Sequence, residues 1–252
     1  MMKEYWKVSK FVTIVASLMT ILCVAGEISQ YVGKNQPAYK RFYNKYIKRA
    51  FDVVITGAAL MVLWPLYLVI AFVIVIEDGF PIFYSADRGG YLGNTFKICK
   101  FRSMVKNADK IGGGTTALND PRITKVGNVL RKTKLDEIPQ LGEVFLGKMS
   151  LVGPRPELLR YTNQYQGREK DILKVRPGIT DYSSVEFINL DEIVGGKNAD
   201  EMYEKYVLKE KNDLRVKYAY SVSFHTDVYI LTKTLAAVFC KAVDFLVKKE
   251  QE

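Results

Sequence analysis

The most constraining feature of this chain is a run of 24 residues without a charge, from Val53 to Ile76. About 20 apolar residues are enough to cross the hydrocarbon core of a bilayer, so the run predicts a membrane-associated protein. Pro65 follows Trp64 near the centre of the run, and a proline inside a helix removes a backbone hydrogen bond. We therefore expect the helix to bend or break there, leaving two halves of about 18 Å that are each too short to span a bilayer.

Basic residues flank this run on both sides. Because lysine and arginine are enriched in cytoplasmic segments, both ends of the helix are predicted to be cytoplasmic. A re-entrant helix, which enters and leaves the membrane on one face, satisfies this pattern, whereas a spanning helix would place one basic cluster outside. The residues are Lys40, Arg41, Lys45, Lys48 and Arg49 before the run, and Arg88, Lys97, Lys100 and Arg102 after it.

A second hydrophobic run, residues 11–26, follows Lys3, Lys7 and Lys10 and resembles a signal peptide in its pattern. Cleavage there would export the basic segments downstream, so we expect a retained membrane anchor or an interfacial helix. The predicted organisation is a membrane-associated segment over 1–45, a re-entrant helix over 46–78, and a catalytic region over 79–252 at the cytoplasmic face.

Apolar residues also recur at helical spacing near the end of the chain. Two alternatives stay open for this helix: it packs into the core, or it lies on the membrane as an amphipathic helix. The apolar positions are Val228, Leu231, Leu235, Val238 and Phe239.

The formal net charge of +10 indicates an anionic partner: nucleic acid, an anionic membrane surface or a phosphorylated substrate. The three cysteines include no C-x-x-C pair, which favours a reducing compartment and argues against a disulfide framework. His225 is the only histidine, so a catalytic triad or a zinc site is improbable. Carboxylates and arginines remain to carry the chemistry.

Two adjacent acids, Asp136 and Glu137, stand in the stretch KLDEIPQL. Pro139 is compatible with a first helical turn, so a helix is expected to begin close to Asp136. One interpretation is structural: an N-cap aspartate followed by a glutamate that complements the helix dipole. The other is functional, because a helix N-terminus also binds phosphate and an acid there can act on it.

Candidate phosphate-binding residues surround these acids in the sequence. Gly89, Gly90 and Gly93 separate two strand-like segments and predict a β-hairpin, while residues 111–122 (IGGGTTALNDPR) read as a loop. Rigidly presented guanidinium groups suit bidentate recognition of phosphate. Three arginines fit: Arg131, Arg155 between two prolines, and Arg176 before Pro177-Gly178, a pair typical of a type II turn. The other candidates are Arg88, Lys97, Lys100 and Arg102.

Taken in order, the segments FKICKFRSM, RKTKLDEIPQL, MSLVGPRPE and KVRPGIT, after a Pro-interrupted hydrophobic run, resemble those of monotopic phosphoglycosyl transferases, a family of bacterial sugar transferases. The resemblance covers roughly residues 45–240. It implies transfer of a sugar phosphate from a UDP-sugar to a polyprenyl phosphate with release of UMP, which starts a surface glycan such as an exopolysaccharide. It also implies a location at the cytoplasmic face of a bacterial inner membrane, with membrane lipids and downstream glycosyltransferases as partners.

The family pattern places its acidic pair on Asp136 and Glu137 and its re-entrant kink on Trp64-Pro65. Arg131, Arg155 and Arg176 also match family positions. The resemblance implies that Asp136 attacks the β-phosphorus of the UDP-sugar, that both acids bind Mg²⁺, and that Glu137 assists either the metal or the acceptor. After RPGIT many members carry a G-W-A-Q-type segment, whereas DYSSVEFINLDE stands here, so contacts in that stretch do not carry over.

The expected fold is therefore α+β and mainly helical, with a small cytoplasmic catalytic domain that contains a β-hairpin. A Pro-kinked re-entrant helix and interfacial amphipathic helices would attach it to the membrane. The alternative function is a non-catalytic membrane adaptor that binds anionic lipid or a glycan-assembly partner. Nucleic-acid binding is disfavoured because the sequence contains no recognised module for it. Oligomeric state, including a homodimer, stays open.

Overall fold

The computed structural model describes residues 37–111, 113–117, 120–195 and 198–250, and before them the separate positions 13, 14, 17, 20, 21, 24, 25 and 28. The predicted N-terminal membrane segment lies mostly outside these residues. The described part is mainly helical, with two small sheets. In chain order the elements are α1 (Lys48–Asp78), β1 (Phe83–Gly89), β2 (Thr95–Phe101), α2 (Ala108–Ile111), α3 (Lys125–Lys132), α4 (Gln140–Phe145), β3 (Ser150–Val152), α5 (Leu159–Thr162), β4 (Gly178–Thr180), α6 (Tyr182–Glu186), α7 (Leu190–Val194), α8 (Ala199–Tyr206), α9 (Leu208–Ser221) and α10 (Phe224–Glu250).

The hydrophobic run forms one continuous helix. Helix α1 has 31 residues and includes Pro65, so the helix does not break there, and the alternative that the sequence allows, a bend at Pro65, stays a prediction. The proline removes one backbone hydrogen bond, but contacts on both sides of it hold the chain in helical geometry. Together with the π-helical turn Tyr43–Ile47, the helix is long and apolar enough to cross a membrane, and only 11% of its most apolar window is buried.

The first turns of α1 are fixed to β3 and α10. The Lys48 ammonium lies 2.5 Å from a carboxylate oxygen of Asp227, and the Phe51 ring stacks on Phe224 with centroids 5.5 Å apart. The carboxylate of Asp52 accepts a hydrogen bond from the backbone N–H of Leu151 at 3.0 Å. These buried contacts seat the beginning of α1 on the region that the sequence predicts to be catalytic.

The second half of α1 rests on the same region. Ile70 and Ile74 are buried against Phe101 of β2 and Leu130 of α3. The opposite side of the helix is apolar and exposed, which is the arrangement expected of a helix that faces lipid. Its exposed residues are Met61, Val62, Trp64, Leu68, Val69, Phe72 and Ile76.

The predicted hairpin is confirmed. Strands β1 and β2 pair antiparallel from Phe83 opposite Phe101 to Gly89 opposite Thr95. The connection contains Gly93 at φ +80°, a left-handed conformation that favours glycine. Ile98 and Phe101 are buried, so the second strand is fixed against the helices.

Strands β3 and β4 form a short parallel pair that brings two glycines into close approach. A Cβ atom on Gly178 would lie 2.1 Å from the backbone nitrogen of Gly153, so only glycine fits there. Gly178 begins β4, and the predicted type II turn at Pro177-Gly178 is wrong. The Pro-Gly pair serves close strand packing instead of a turn.

The predicted C-terminal helix is present as α10, and its two sides differ. Ile230 is buried and Leu231 packs beside it, whereas Leu235 and Phe239 are each 69% exposed. Core packing therefore does not account for Leu235 and Phe239. Their exposure agrees with the amphipathic alternative.

Candidate functional site

The two acids lie in a tight turn between α3 and α4. Lys134 adopts a left-handed conformation at φ 60°, and a 3-10 turn over Leu135–Glu137 follows it directly. Pro139 then precedes the first residue of α4, as the sequence predicts for a helix start near Asp136. Helix α1 supports this turn, because the Tyr67 hydroxyl donates a hydrogen bond of 2.7 Å to the carbonyl of Ile138.

Glu137 is the anionic centre of the site. Its Oε1 atom accepts a hydrogen bond of 2.8 Å from the Lys100 ammonium and a second, very short one from the Arg155 guanidinium. Burial opposes ionisation of this carboxyl, but the charges of Arg155, Lys100 and Lys134 outweigh it and hold its pKa well below the ordinary value. Glu137 is therefore ionised and holds two cations in place.

Asp136 is only 4% exposed, and its Oδ1 atom has no hydrogen-bond partner among the described residues. Burial raises the pKa of its carboxyl, and the charge of Lys100 opposes that rise. Its side chain caps neither the 3-10 turn nor α4, so the purely structural interpretation as a helix cap has no support. A buried carboxylate oxygen without a partner is costly and calls for a ligand.

Arg155 is held from several directions. Its backbone N–H donates to Asp181 at 3.1 Å, and its Nη1 atom donates to the carbonyl of Ile179 at 2.7 Å. The remaining terminal nitrogen reaches Glu137. The stiff presentation that the flanking prolines predict is therefore reinforced by the neighbouring strand β4.

Arg88 and Arg131 also lie within electrostatic reach of this group. Arg88 of β1 is half-buried, and burial lowers its pKa, as does the nearby charge of Arg155. Arg131 of α3 donates a hydrogen bond of 2.8 Å to Thr116, and its charge lowers the pKa of Asp136. The structure thus brings Lys100, Arg131 and Arg155 around the acidic pair, and Arg88 lies within electrostatic reach of Arg155.

Three other sequence candidates lie elsewhere. Arg102 is buried at the end of α1, where it donates to the carbonyls of Asp78 and Gly79 and pairs with the Asp78 carboxylate at 3.0 Å. Lys97 is exposed on the hairpin. The Arg176 guanidinium lies 5.2 Å from the centroid of the Tyr91 ring. Trp64, one of the two predicted kink residues, is 61% exposed on the apolar side of α1.

Sequence reasoning missed a buried charge cluster behind Arg155. Arg215 is 1% exposed and donates to Glu157 at 2.7 Å, and Glu157 also accepts a very short hydrogen bond from Tyr203. Asp181 lies 3.8 Å from the Arg215 Nε atom. The position of Glu157 directly after the Pro-Arg-Pro segment was a signal that could have marked it as a candidate. Its partner Arg215 lies 58 residues away in the sequence, so no local pattern links the two.

A family model described as bacterial sugar transferase matches residues 43–241. Among curated proteins, the chain is 36% identical over 193 residues to the UDP-glucose:undecaprenyl-phosphate glucose-1-phosphate transferase of Escherichia coli, covering 75% of this chain and 40% of that protein. It is 35% identical over 206 residues to the exopolysaccharide production protein ExoY of Sinorhizobium fredii, covering 76% of this chain and 84% of that protein.

A third relative is the UDP-N-acetylgalactosamine-undecaprenyl-phosphate N-acetylgalactosaminephosphotransferase of Aeromonas hydrophila, which is 33% identical over 203 residues. The match covers 77% of this chain and 44% of that protein. The chain thus spans less than half the length of two of these three relatives and most of the third. All the residues of the acidic site lie inside the part that the family model matches.

Proposed function

This chain belongs to the bacterial sugar transferase family, and from that membership we propose that it transfers a sugar phosphate from a UDP-sugar to a polyprenyl phosphate and releases UMP. Two of the relatives above are named for such a transfer to undecaprenyl phosphate, from UDP-glucose and from UDP-N-acetylgalactosamine. The name of the third concerns exopolysaccharide production. The proposed role is the first step of a bacterial surface glycan.

One observation carries the proposal. Asp136 presents a buried, unpartnered carboxylate oxygen, while the neighbouring acid gathers Lys100 and Arg155 beside it. Such a group of fixed cations suits the diphosphate of a nucleotide sugar, and it lies next to an oxygen that is free to attack.

The proposed reaction has two displacement steps at one phosphorus atom. First, an Asp136 oxygen forms a bond to the β-phosphorus, the bond from this phosphorus to the bridging oxygen breaks, and UMP leaves with that oxygen. Next, a phosphate oxygen of the polyprenyl phosphate forms a bond to the same phosphorus, and the bond to Asp136 breaks. The carboxylate is restored and the lipid carries the sugar through a diphosphate.

The acids also fit a role in holding Mg²⁺, which prefers carboxylate and phosphate oxygens. Asp136 offers its unpartnered Oδ1 atom, whereas Glu137 would have to share an oxygen with Lys100 and Arg155. No group of three His, Cys, Asp or Glu side chains suited to a metal occurs in the described part of the chain, so substrate oxygens would complete the site. When bound, the ion would neutralise charge on the diphosphate.

We further propose that α1 is re-entrant and places the site at the cytoplasmic face of the inner membrane. Contacts at both ends of the helix support this topology. Near the start, Arg49 donates to the carbonyls of Val144 and Phe145, and at the end the Glu77 carboxylate accepts from the backbone N–H groups of Lys125 and Val126. The acceptor phosphate would then meet the acids at the level of the lipid headgroups.

The direct test of the chemistry is Asp136→Asn. With UDP-sugar and Mg²⁺ but no lipid, the unmodified protein should gain up to about one equivalent of phosphosugar, located by mass spectrometry on the peptide that bears Asp136. The variant should lose both this adduct and UMP release, by roughly a thousandfold or more. Asparagine is nearly isosteric, so the melting temperature should change little.

Asp87→Asn, at an exposed position on β1, is the matched control and should retain both signals. Near-normal UMP release by Asp136→Asn would rule out the nucleophile. Absence of UMP release from the unmodified protein across a panel of UDP-sugars would favour the adaptor.

A further inference from the structure

Asp181 fixes the position of Arg155. The segment Pro154-Arg155-Pro156 contains a single backbone N–H group, because proline has none. That N–H donates to the Asp181 Oδ2 atom at 3.1 Å. Asp181 therefore accepts the one hydrogen bond that the backbone of this tripeptide can donate.

The Asp181 carboxylate is itself completely buried and rigidly held. Its Oδ1 atom accepts from the backbone N–H of Ser184 at 2.7 Å, which caps α6, and from the Ser184 hydroxyl at 2.7 Å. The Ser183 hydroxyl contacts both of its oxygens, at 2.8 and 3.0 Å. Arg215 lies 3.8 Å from Oδ2. Because these partners fix the carboxylate, the carboxylate in turn fixes the position of the Arg155 backbone N–H that it binds.

Strand β4, which ends just before Asp181, also holds the side chain of Arg155. The Ile179 carbonyl, two residues before Asp181, accepts from the Arg155 Nη1 atom. Contacts at the end of β4 thus fix both the backbone and the guanidinium of Arg155. Its other terminal nitrogen faces Glu137. Asp181 stands at the beginning of the stretch DYSSVEFINLDE, directly after β4.

We propose that Asp181 is a positioning residue, which acts on the diphosphate of the nucleotide sugar through Arg155 and does not contact the substrate itself. This inference rests on the proposed function, in which Arg155 binds that diphosphate. An arginine displaced by a fraction of an ångström loses bidentate geometry toward phosphate, so the position of its backbone governs its affinity.

The test uses Asp181→Ser in the full-length protein. Serine is a good N-cap and retains the bond to the N–H of Ser184, but its hydroxyl is too short to reach Arg155 as well. We expect its dissociation constant for UDP, measured by calorimetry, to rise by about tenfold or more. Ser183→Ala removes a hydroxyl that donates to the same carboxylate but leaves the bond to Arg155, so its affinity for UDP should stay within about twofold of the parent.

A double-mutant cycle with Arg155→Lys separates positioning from general destabilisation. If Asp181 acts through Arg155, Asp181→Ser should weaken UDP binding far less in the Arg155→Lys background than in the parent. Equal loss in both backgrounds, or equal affinity of Asp181→Ser and Ser183→Ala, would overturn the inference.

Asp181→Asn gives the same comparison if the serine variant does not fold. Its single carbonyl oxygen cannot serve both the helix cap and Arg155, so it should weaken UDP binding as well, and unchanged binding would overturn the inference. If the parent protein and Asp181→Asn bind UDP equally well, the positioning role is contradicted but the proposed function is not. A parent protein that neither binds UDP nor releases UMP contradicts the proposed function.

Discussion

Asp136 and Glu137 are adjacent in the sequence, but their surroundings shift the pKa values of the two carboxyl groups in opposite directions. Burial dominates at Asp136 and raises its pKa, whereas Arg155 and Lys100 hold the pKa of Glu137 well below the ordinary value. Separated proton affinities in a close pair are typical of acids with different roles. Glu137 is the ionised anchor of the cations, and Asp136 keeps an oxygen without a partner.

Lys211 provides a pH-dependent prediction at a residue outside the acidic pair. It is 7% exposed, with its ammonium 5.5 Å from the Phe187 ring centroid and 5.1 Å from that of Tyr203. Burial and, to a smaller extent, the charge of Arg215 lower its pKa to about 8 against the opposing effect of Glu157. The folded protein therefore carries the cost of a buried charge at neutral pH.

Below about pH 8, Lys211 is protonated in both the folded and the unfolded chain, and the whole cost of the buried charge is present. Between about pH 8 and 10.5 only the unfolded chain keeps the proton on Lys211, so the free energy of unfolding rises with pH. Lys211→Met, which preserves the contacts with the rings, should stabilise the protein at pH 7 by up to about 3 kcal/mol.

This advantage should shrink toward zero by about pH 10, as measured by denaturation in detergent at the two pH values. Lys205→Met, at an exposed lysine on the neighbouring helix α8, is the control and should show no such pH dependence. A stability difference for Lys211→Met that stays constant from pH 7 to 10 would contradict the assignment.

At the scale of elements, the end of α1 is anchored by a residue that the sequence assigned to substrate. Arg102 binds two carbonyl groups and a carboxylate at the C-terminus of the helix. Arg102→Met should therefore lower the free energy of unfolding by about 1–3 kcal/mol, because buried acceptors lose their donor. The affinity of the folded variant for UDP should stay near that of the parent.

Lys97→Met, at an exposed position on the preceding strand β2, should leave both the melting temperature and UDP binding nearly unchanged. Thermal denaturation and calorimetry on the two variants measure these effects. Weak UDP binding by Arg102→Met at an unchanged melting temperature would restore the substrate role that the sequence predicts.

Lys100 and Arg102 show what local sequence signals can and cannot predict. The hairpin, the helix start near Asp136 and the stiffness of Arg155 follow from glycine and proline, whose backbone restrictions act within a few residues. Lys100 and Arg102 are two positions apart and chemically alike, but one reaches Glu137 and the other reaches α1. Their destinations depend on how β2 packs against distant helices, which no local pattern contains.

The same limit applies at Pro65 and explains the error at Gly178. Propensity alone allows a bend or a break at Pro65, and tertiary contacts on either side keep α1 unbroken. A Pro-Gly pair predicts a turn, but the approach of Gly153 uses the missing side chain of Gly178 for close packing. Asp181 and Arg215 could not be identified in advance, because their importance arises from partners far away along the chain.

At the scale of the whole molecule, the contacts of α1 favour a topology with both of its ends on one side of the membrane. Near its start, Arg49 donates to the carbonyl of Val144. At its end, the Glu77 carboxylate accepts from the backbone N–H groups of Lys125 and Val126. Both ends of α1 are thus bound to the region that contains the acidic site, whereas a spanning helix would put a hydrocarbon core of about 30 Å between these contacts.

We therefore expect single cysteines at both ends of α1 to react from the same side of sealed vesicles. With the native cysteines replaced, Lys45→Cys and Phe80→Cys place thiols at exposed positions before and after the helix, and Asp87→Cys marks the hairpin. A membrane-impermeant maleimide should label all three in inside-out vesicles and none in right-side-out vesicles, because a re-entrant helix returns both flanks to the cytoplasm. Labelling of Lys45→Cys and Phe80→Cys from opposite sides would show that α1 spans the bilayer, and the contacts of Arg49 and Glu77 with the same region could not then coexist in the membrane.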